Sequence, residues 1–192
     1  MDLDTVIEKR SSIRTFTSKT PSWKLVLEAI DTANQAPFAG NHNNLKFLII
    51  ENGEAIKKLA KFSNQHWIAE ASTIVLVLSD DTHLENIYGT RGRVYSRQQA
   101  GAAIENFLLK IIDLGLSACW VGAYTDELIK EIFEIPQHIQ IEALIPIGYA
   151  KEKPAKKRKK ELKNSIYWEK WGNDKKAPIL KEGPDPNPSA FE

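Results

Sequence analysis

The sequence predicts an α+β fold, and three observations carry that prediction. Thr73-Ile74-Val75-Leu76-Val77-Leu78 is an unbroken apolar run rich in β-branched residues, which reads as a central strand buried on both faces. Val94 to Leu114 is the longest helical pattern in the chain. The remaining strand and helix signals are mixed rather than in strict strand–helix–strand alternation, which indicates α+β.

The elements follow in order. Leu3, Val6 and Ile7 mark a short amphipathic segment. Thr20-Pro21 suits a helix start, because Thr caps and Pro is tolerated in the first turn. Trp23, Val26, Leu27, Ile30 and Ala33 then mark one buried face. Ala36 to Asn44 breaks the pattern with Pro, Gly and Asn and reads as a loop. Phe47 to Ile50 reads as a strand ended by Asn52-Gly53, and Ala55 to Phe62 as a helix. In the long helix, Ala102, Ala103, Asn106, Phe107, Leu109 and Ile112 populate more than one face, so a central, largely buried helix is expected, with Gly115 at its C-terminal cap. Ser117 to Gly122 reads as a short strand, and Thr125 as the cap of a helix with Asp126 and Glu127 in its first turn. Ile139 to Tyr149 reads as the last strand, where Pro146 argues for a sheet edge or a bulge.

The composition shifts after Tyr149. Lys151 to Lys163 is basic, Ile166-Tyr167-Trp168 and Trp171 form an aromatic knot, and Pro184, Pro186 and Pro188 crowd the end. The expected organisation is a single domain over 1–171 and a Pro-rich tail over 172–192, mobile or laid over another surface.

Hydrophobic content of 42% and charged content of 27% over 192 residues fit one soluble globular domain. A net charge of +1 gives no field to gather nucleic acid or an anionic membrane, so neither partner is expected. A single Cys excludes an intrachain disulfide framework and fits a cytoplasmic location. Met1-Asp2-Leu3-Asp4 is acidic and lacks the apolar stretch of a secretory signal, and no apolar run is long enough to span a bilayer.

The densest chemistry lies in Arg10-Ser11-Ser12-Ile13-Arg14. Two guanidiniums flank two hydroxyls, and the planar Arg fork matches phosphate oxygens in pairs. If the segment is helical, positions 10 and 14 lie one turn apart and both reach one phosphate. The same spacing also occurs on ordinary solvated helix faces.

Further segments give this clamp company: Ala36-Pro37-Phe38-Ala39-Gly40-Asn41, then Ala102 to Leu109 leading through Leu114-Gly115-Leu116 to Trp120-Val121-Gly122, then Ile147-Gly148-Tyr149 ahead of Pro154 to Arg158. In this order the chain resembles the nitroreductase family of FMN-dependent oxidoreductases over residues 1 to 171. The resemblance implies a central mixed or antiparallel sheet wrapped by helices, a long central helix, and an obligate homodimer with two FMN sites at its interface. It implies that Arg10, Ser11, Ser12 and Arg14 hold the FMN phosphate and the ribityl–pyrimidine edge, joined by Lys156 and Arg158. Pro37, Phe38, Ala39 and Asn41 would come from the partner subunit to line the isoalloxazine. Val121, Gly122 and Ala123 would lie along the flavin edge and offer amides near N5, and Gln65 would hydrogen-bond the pyrimidine. The implied activity passes two electrons from NADH or NADPH through FMN to a nitroaromatic, a quinone or a similar acceptor in ping-pong order, with no dedicated catalytic acid or base. Arg10 or Arg14 would also stabilise the charge that reduction places near N1 and O2.

The chain departs from the family pattern at three places. Phe38 stands where Ser is usual, Asn43-Asn44-Leu45 where Gln-Pro-Trp is usual, and Gln99 where an acidic residue is commoner. The first two leave room for reductive dehalogenation or flavin fragmentation on the same fold. Lys156 to Lys160 alone would suggest a nucleic-acid binder, which the near-neutral net charge disfavours. Cys119 reads as structural, and His42, His66, His83 and His138 lack ligand spacing, so no metal is expected. Trp168 and Trp171 read as dimer packing. Tyr88 to Arg93, with two Gly and two Arg, reads as a flexible connection or as a lid that meets the NADPH phosphate.

Overall fold

A computed structural model describes residues 1–152 and 161–175. The chain divides into two compact units, Met1–Pro154 and Ala155–Glu192. Among the described residues the first unit holds six α-helices and four strands: α1 (Leu3–Lys9), α2 (Trp23–Ala33), β1 (Leu45–Ile50), α3 (Gly53–Phe62), β2 (Thr73–Asp80), α4 (Thr82–Tyr88), α5 (Thr90–Asp113), β3 (Ser117–Ala118), α6 (Asp126–Ile132) and β4 (Ile139–Gly148). The strands form one antiparallel sheet in the order β1-β2-β4-β3, as the α+β reading requires. No helix among the described residues is long and apolar enough to cross a membrane.

Alternation along β2 explains why its run is continuously apolar. Val75 and Val77 face a core that includes Val26, Ala29 and Ala33 of α2 and Ala103, Phe107 and Ile111 of α5. Ile74, Leu76 and Leu78 face the opposite core, with Ile56 and Leu59 of α3 and Ile129 of α6. Both faces of a period-2 element are thus covered by helices.

Several sequence expectations change. The first helix ends at Lys9, so Arg10 to Arg14 is not helical. The chain there is extended: Ser12 bridges Ala118 in parallel, and the Ile13 N–H donates to the Ala118 carbonyl at 3.0 Å. Ile13 turns into a small core with Phe16 and Ala71, which outbids the helical pattern. Helix α2 begins at Trp23 rather than at Thr20-Pro21, and it buries Val26, Ala29 and Ala33 while Trp23 and Leu27 are exposed. The 88–93 segment is no loose connection. A positive φ at Gly89 separates α4 from α5, and Thr90 to Arg93 form the first turn of α5. Strand β3 stops at Ala118, although Val121 still bridges Leu144. Thr125 precedes α6 without a side-chain capping bond.

Helix α5 is buried along one side only. Gly115 ends it as expected: its φ is +74°, its N–H donates to the Ile112 carbonyl, and the Leu116 N–H donates to the Ile111 carbonyl. That is the Schellman pattern, which requires a residue tolerant of positive φ.

Pro146 sits at neither an edge nor a bulge. It pairs with Ile74 inside the sheet, and its carbonyl accepts from the Cys119 N–H at 3.3 Å. Its missing donor falls on the same side, in the gap between the Ala118–Ile147 pair and the Val121–Leu144 bridge, where the ladder is thinned to the one Cys119 bond. The irregularity lies instead where Val77 pairs with Ala143 and Leu78 with Ile141, leaving Glu142 as the extra residue. The Ser79 hydroxyl donates to the Glu142 carboxylate at 2.5 Å, and Arg97, which also pairs with Asp81, meets it at 2.6 Å. Burial nevertheless holds the Glu142 carboxyl above its ordinary value, with Ser79 and Arg97 pulling it back. A carboxyl raised on folding adds stability below its unfolded pKa and loses it as pH rises through the folded value. Glu142→Gln is therefore expected to gain on the wild type progressively above the ordinary value of 4.5. Thermal melts from about pH 4 to about pH 8 check this, and an offset that shrinks with rising pH contradicts it.

In the second unit, Leu162–Ser165 form a single helical turn. The Trp168 N–H donates to the Asn173 carbonyl at 2.7 Å, and the Tyr167 and Trp171 rings meet edge-on with centroids 4.9 Å apart.

Candidate functional site

The extended Arg10–Arg14 segment is held from two sides. Beyond the Ser12–Ala118 bridge, the Thr17 N–H donates to the Tyr149 carbonyl at 2.9 Å and the Lys151 N–H to the Thr15 carbonyl at 3.1 Å. Close approach needs Gly148, because a Cβ there would lie 2.8 Å from the Phe16 ring. The start of the basic run is thereby pinned beside the clamp. Lys156 and Arg158 lie outside the described residues.

Arg10, Ser11 and Ser12 line a cavity of about 230 Å³ together with Glu105, Leu108 and Ile112 of α5, Ala118 and Trp120. The Arg10 guanidinium meets the Glu105 carboxylate at 3.2 Å, with both side chains part-exposed. Glu105 is a site residue that the sequence reading missed, since helical periodicity gave it no distinguishing signal. Arg14 is exposed and turns its guanidinium over the Trp67 ring, 5.8 Å from the centroid. Gln65, two residues before Trp67, donates to the Ala123 carbonyl at 3.4 Å. The Val121 amide is spent on the Leu144 carbonyl, and its side chain lies in the core. Of the three amides expected along a ligand edge, those of the exposed Gly122 and Ala123 remain within a ligand's reach.

Pro37, Phe38 and Ala39 line a different cavity, of about 310 Å³, with Tyr95, Gln98, Gln99 and Ala102. Asn41 lies at a positive φ in an exposed turn. The two cavities share no lining residue, but both open on one stripe of α5. Tyr95, Gln98, Ala102, Glu105 and Ile112 succeed one another at helical spacing along it. Gln98 and Ile112 are ~20 Å apart along the axis.

The family model described as the nitroreductase family matches residues 7–72 and 60–149. The chain belongs to the nitroreductase family. Its relatives include a protein of Methanothermobacter thermautotrophicus named "Putative NADH dehydrogenase/NAD(P)H nitroreductase", 28% identical over 175 residues, covering 89% of this chain and 88% of the relative. An iodotyrosine deiodinase of Thermotoga neapolitana is 22% identical over 171 residues, covering 81% of this chain and 92% of its own. Among solved structures, an FMN-dependent nitroreductase from Clostridium difficile R20291 superposes with a TM-score of 0.74 at 18% identity, covering 86% of this chain and 98% of that one. As a member of that family, the chain is an oxidoreductase with the fold described above.

Proposed function

We propose that this protein binds FMN and passes two electrons from NADH or NADPH to a small electron-poor acceptor, working as a homodimer. The observation that carries the reading is the cavity where Arg10, Ser11 and Ser12 converge against α5. A guanidinium and two hydroxyls form a donor set suited to a phosphate monoester, and the cavity is wide enough for that group. Arg14 and Gln65 present donors beside Trp67 for the flavin's polar edge, and Gly122 and Ala123 present backbone. Lys156 and Arg158, outside the described residues, would add charge to the same phosphate. Bound FMN supplies the two-electron chemistry, which fits a ping-pong order and asks no acid or base of the protein.

The α5 stripe supports the dimer reading. One cavity offers anion donors, and the other offers the apolar wall of Pro37, Phe38 and Ala39. A two-fold axis through the middle of the stripe brings the donor end of one subunit against the wall of its partner, twice. Each pair of half-sites then encloses one flavin. The exposed Trp23 and Leu27 of α2 add apolar area suited to the same burial.

The test is an anaerobic titration of FMN-loaded protein with NADH and NADPH. Bleaching of the flavin band followed by recovery with a nitroaromatic or a quinone is expected. A protein that takes up no FMN contradicts the proposal. The deiodinase relative favours one second reading: slow bleaching by both nicotinamides, with turnover of a halogenated phenol from chemically reduced flavin.

A further inference from the structure

We propose that Gln99 is the positioning residue for the isoalloxazine side of the site, an inference that rests on the flavin reading above. Gln99 lies on α5 and is 4% exposed. Its carbonyl oxygen Oε1 accepts from the Ala39 N–H at 3.0 Å. Its amide nitrogen Nε2 donates to the His42 carbonyl at 3.2 Å and to Asn44 Oδ1 at 2.5 Å. One side chain thus ties both ends of the turn that carries Phe38 to Asn41. Asn44 extends the network by donating to Ser96 Oγ at 2.8 Å and to the Asp80 carbonyl at 3.0 Å, so the loop is anchored to both α5 and the end of β2.

The chemistry demands an amide. The site presents one donor, the Ala39 N–H, and two acceptors, and only a group with both a carbonyl and an NH₂ satisfies all three. A carboxylate would keep the Ala39 bond and set its second oxygen against the His42 carbonyl and Asn44 Oδ1 in a buried space. Gln99 lines the cavity of Pro37, Phe38 and Ala39 and not the one of Arg10, Ser11 and Ser12. It sets where Pro37, Phe38 and Ala39 stand, and so acts on the ring rather than on the phosphate.

That separation gives the test. FMN and riboflavin are titrated into wild type and Gln99→Glu by quenching of flavin fluorescence. Gln99→Glu is expected to weaken both flavins by the same factor, about tenfold. A purely structural role would lower the melting temperature and the bound fraction while leaving the Kd of the folded protein unchanged. Unchanged Kd values for both flavins, or weakening of FMN alone, overturn the proposal. Should Gln99→Glu not fold, Ser96→Ala loosens Asn44 more gently and is expected to weaken both flavins about threefold. Unchanged Kd values there overturn the proposal equally. A wild type that binds neither flavin removes the flavin reading itself, and this proposal with it, whereas a wild type that binds both while Gln99→Glu is silent removes only the role of Gln99.

Discussion

Arg10→Ala is expected to weaken FMN binding about 100-fold while leaving riboflavin binding nearly unchanged. A charge-assisted bond to phosphate is worth about 1.5–3 kcal/mol, or roughly 10- to 150-fold. The larger end applies because Arg10 does two things at once. It offers donors to the cavity, and it neutralises Glu105, whose carboxylate lies 3.2 Å away on the wall of the same cavity. Removing the guanidinium leaves that carboxylate facing the phosphate dianion. The double variant Arg10→Ala/Glu105→Gln is therefore expected to recover part of the loss, and Glu105→Gln alone to bind FMN more tightly than wild type. Both effects shrink with added salt, since both side chains are part-exposed. Titrations of the four proteins at two salt concentrations check the set. Identical Kd values for wild type and Arg10→Ala would remove the phosphate from this cavity.

The largest expected loss of stability is at Gly92. This residue lies in the first turn of α5 beside the backbone of α4, and a Cβ there would lie 2.4 Å from the carbonyl carbon and oxygen of Leu84 and 2.5 Å from the Glu85 nitrogen. These are main-chain atoms, so nothing but separation of the two helices makes room. Gly92→Ala is expected to cost about 3 kcal/mol, which lowers Tm by roughly 6–12 °C for a chain of this size. The strain is not local. The Tyr88 hydroxyl at the end of α4 stands where a Cβ on Gly40 would meet it at 2.8 Å, so moving α4 also disturbs the turn that Gln99 holds. Gly53 is the control. It opens α3 with open space for a Cβ, no atom beyond its chain neighbours and its own helix backbone lying within 4 Å of that position, and Gly53→Ala is expected to be neutral or slightly stabilising. Calorimetry on both variants separates a steric effect from a general dislike of the substitution.

The sequence made the interior easy to read. The unbroken run in β2, the long pattern of α5 and Gly115 at its end each report a local property, and each appears in the structure where periodicity puts it. Failures arose where distant contacts decide. Arg10 to Arg14 continues a helical pattern, but Ile13 gains more by joining Phe16 and Ala71, and the strand pairing with Ala118 ends the helix at Lys9. Thr20-Pro21 offers a valid helix start that the chain passes over for Ser22. Pro146 signals an edge, yet an internal strand accommodates it because its missing donor points into the gap between the Ala118–Ile147 pair and the Val121–Leu144 bridge.

The candidate site was legible as residue types and hidden as geometry. The guanidiniums, the hydroxyls and the Pro37–Asn41 loop stand out in the chain, but no spacing rule shows that Arg10 faces Glu105 or that the Val121 amide is already spent. Gln99 stood out only as a departure from a pattern. Its three hydrogen bonds join residues about 60 positions apart, a relation no local window contains.

The proposed flavin site depends on a phosphate monoester being seated among Arg10, Ser11 and Ser12. The most direct measurement compares the affinities of the native protein for FMN and for riboflavin, which share the ring and differ only in that phosphate. FMN is expected to bind at least about 100-fold more tightly, with the gap narrowing as salt is raised. Equal affinities would contradict a phosphate seat at Arg10.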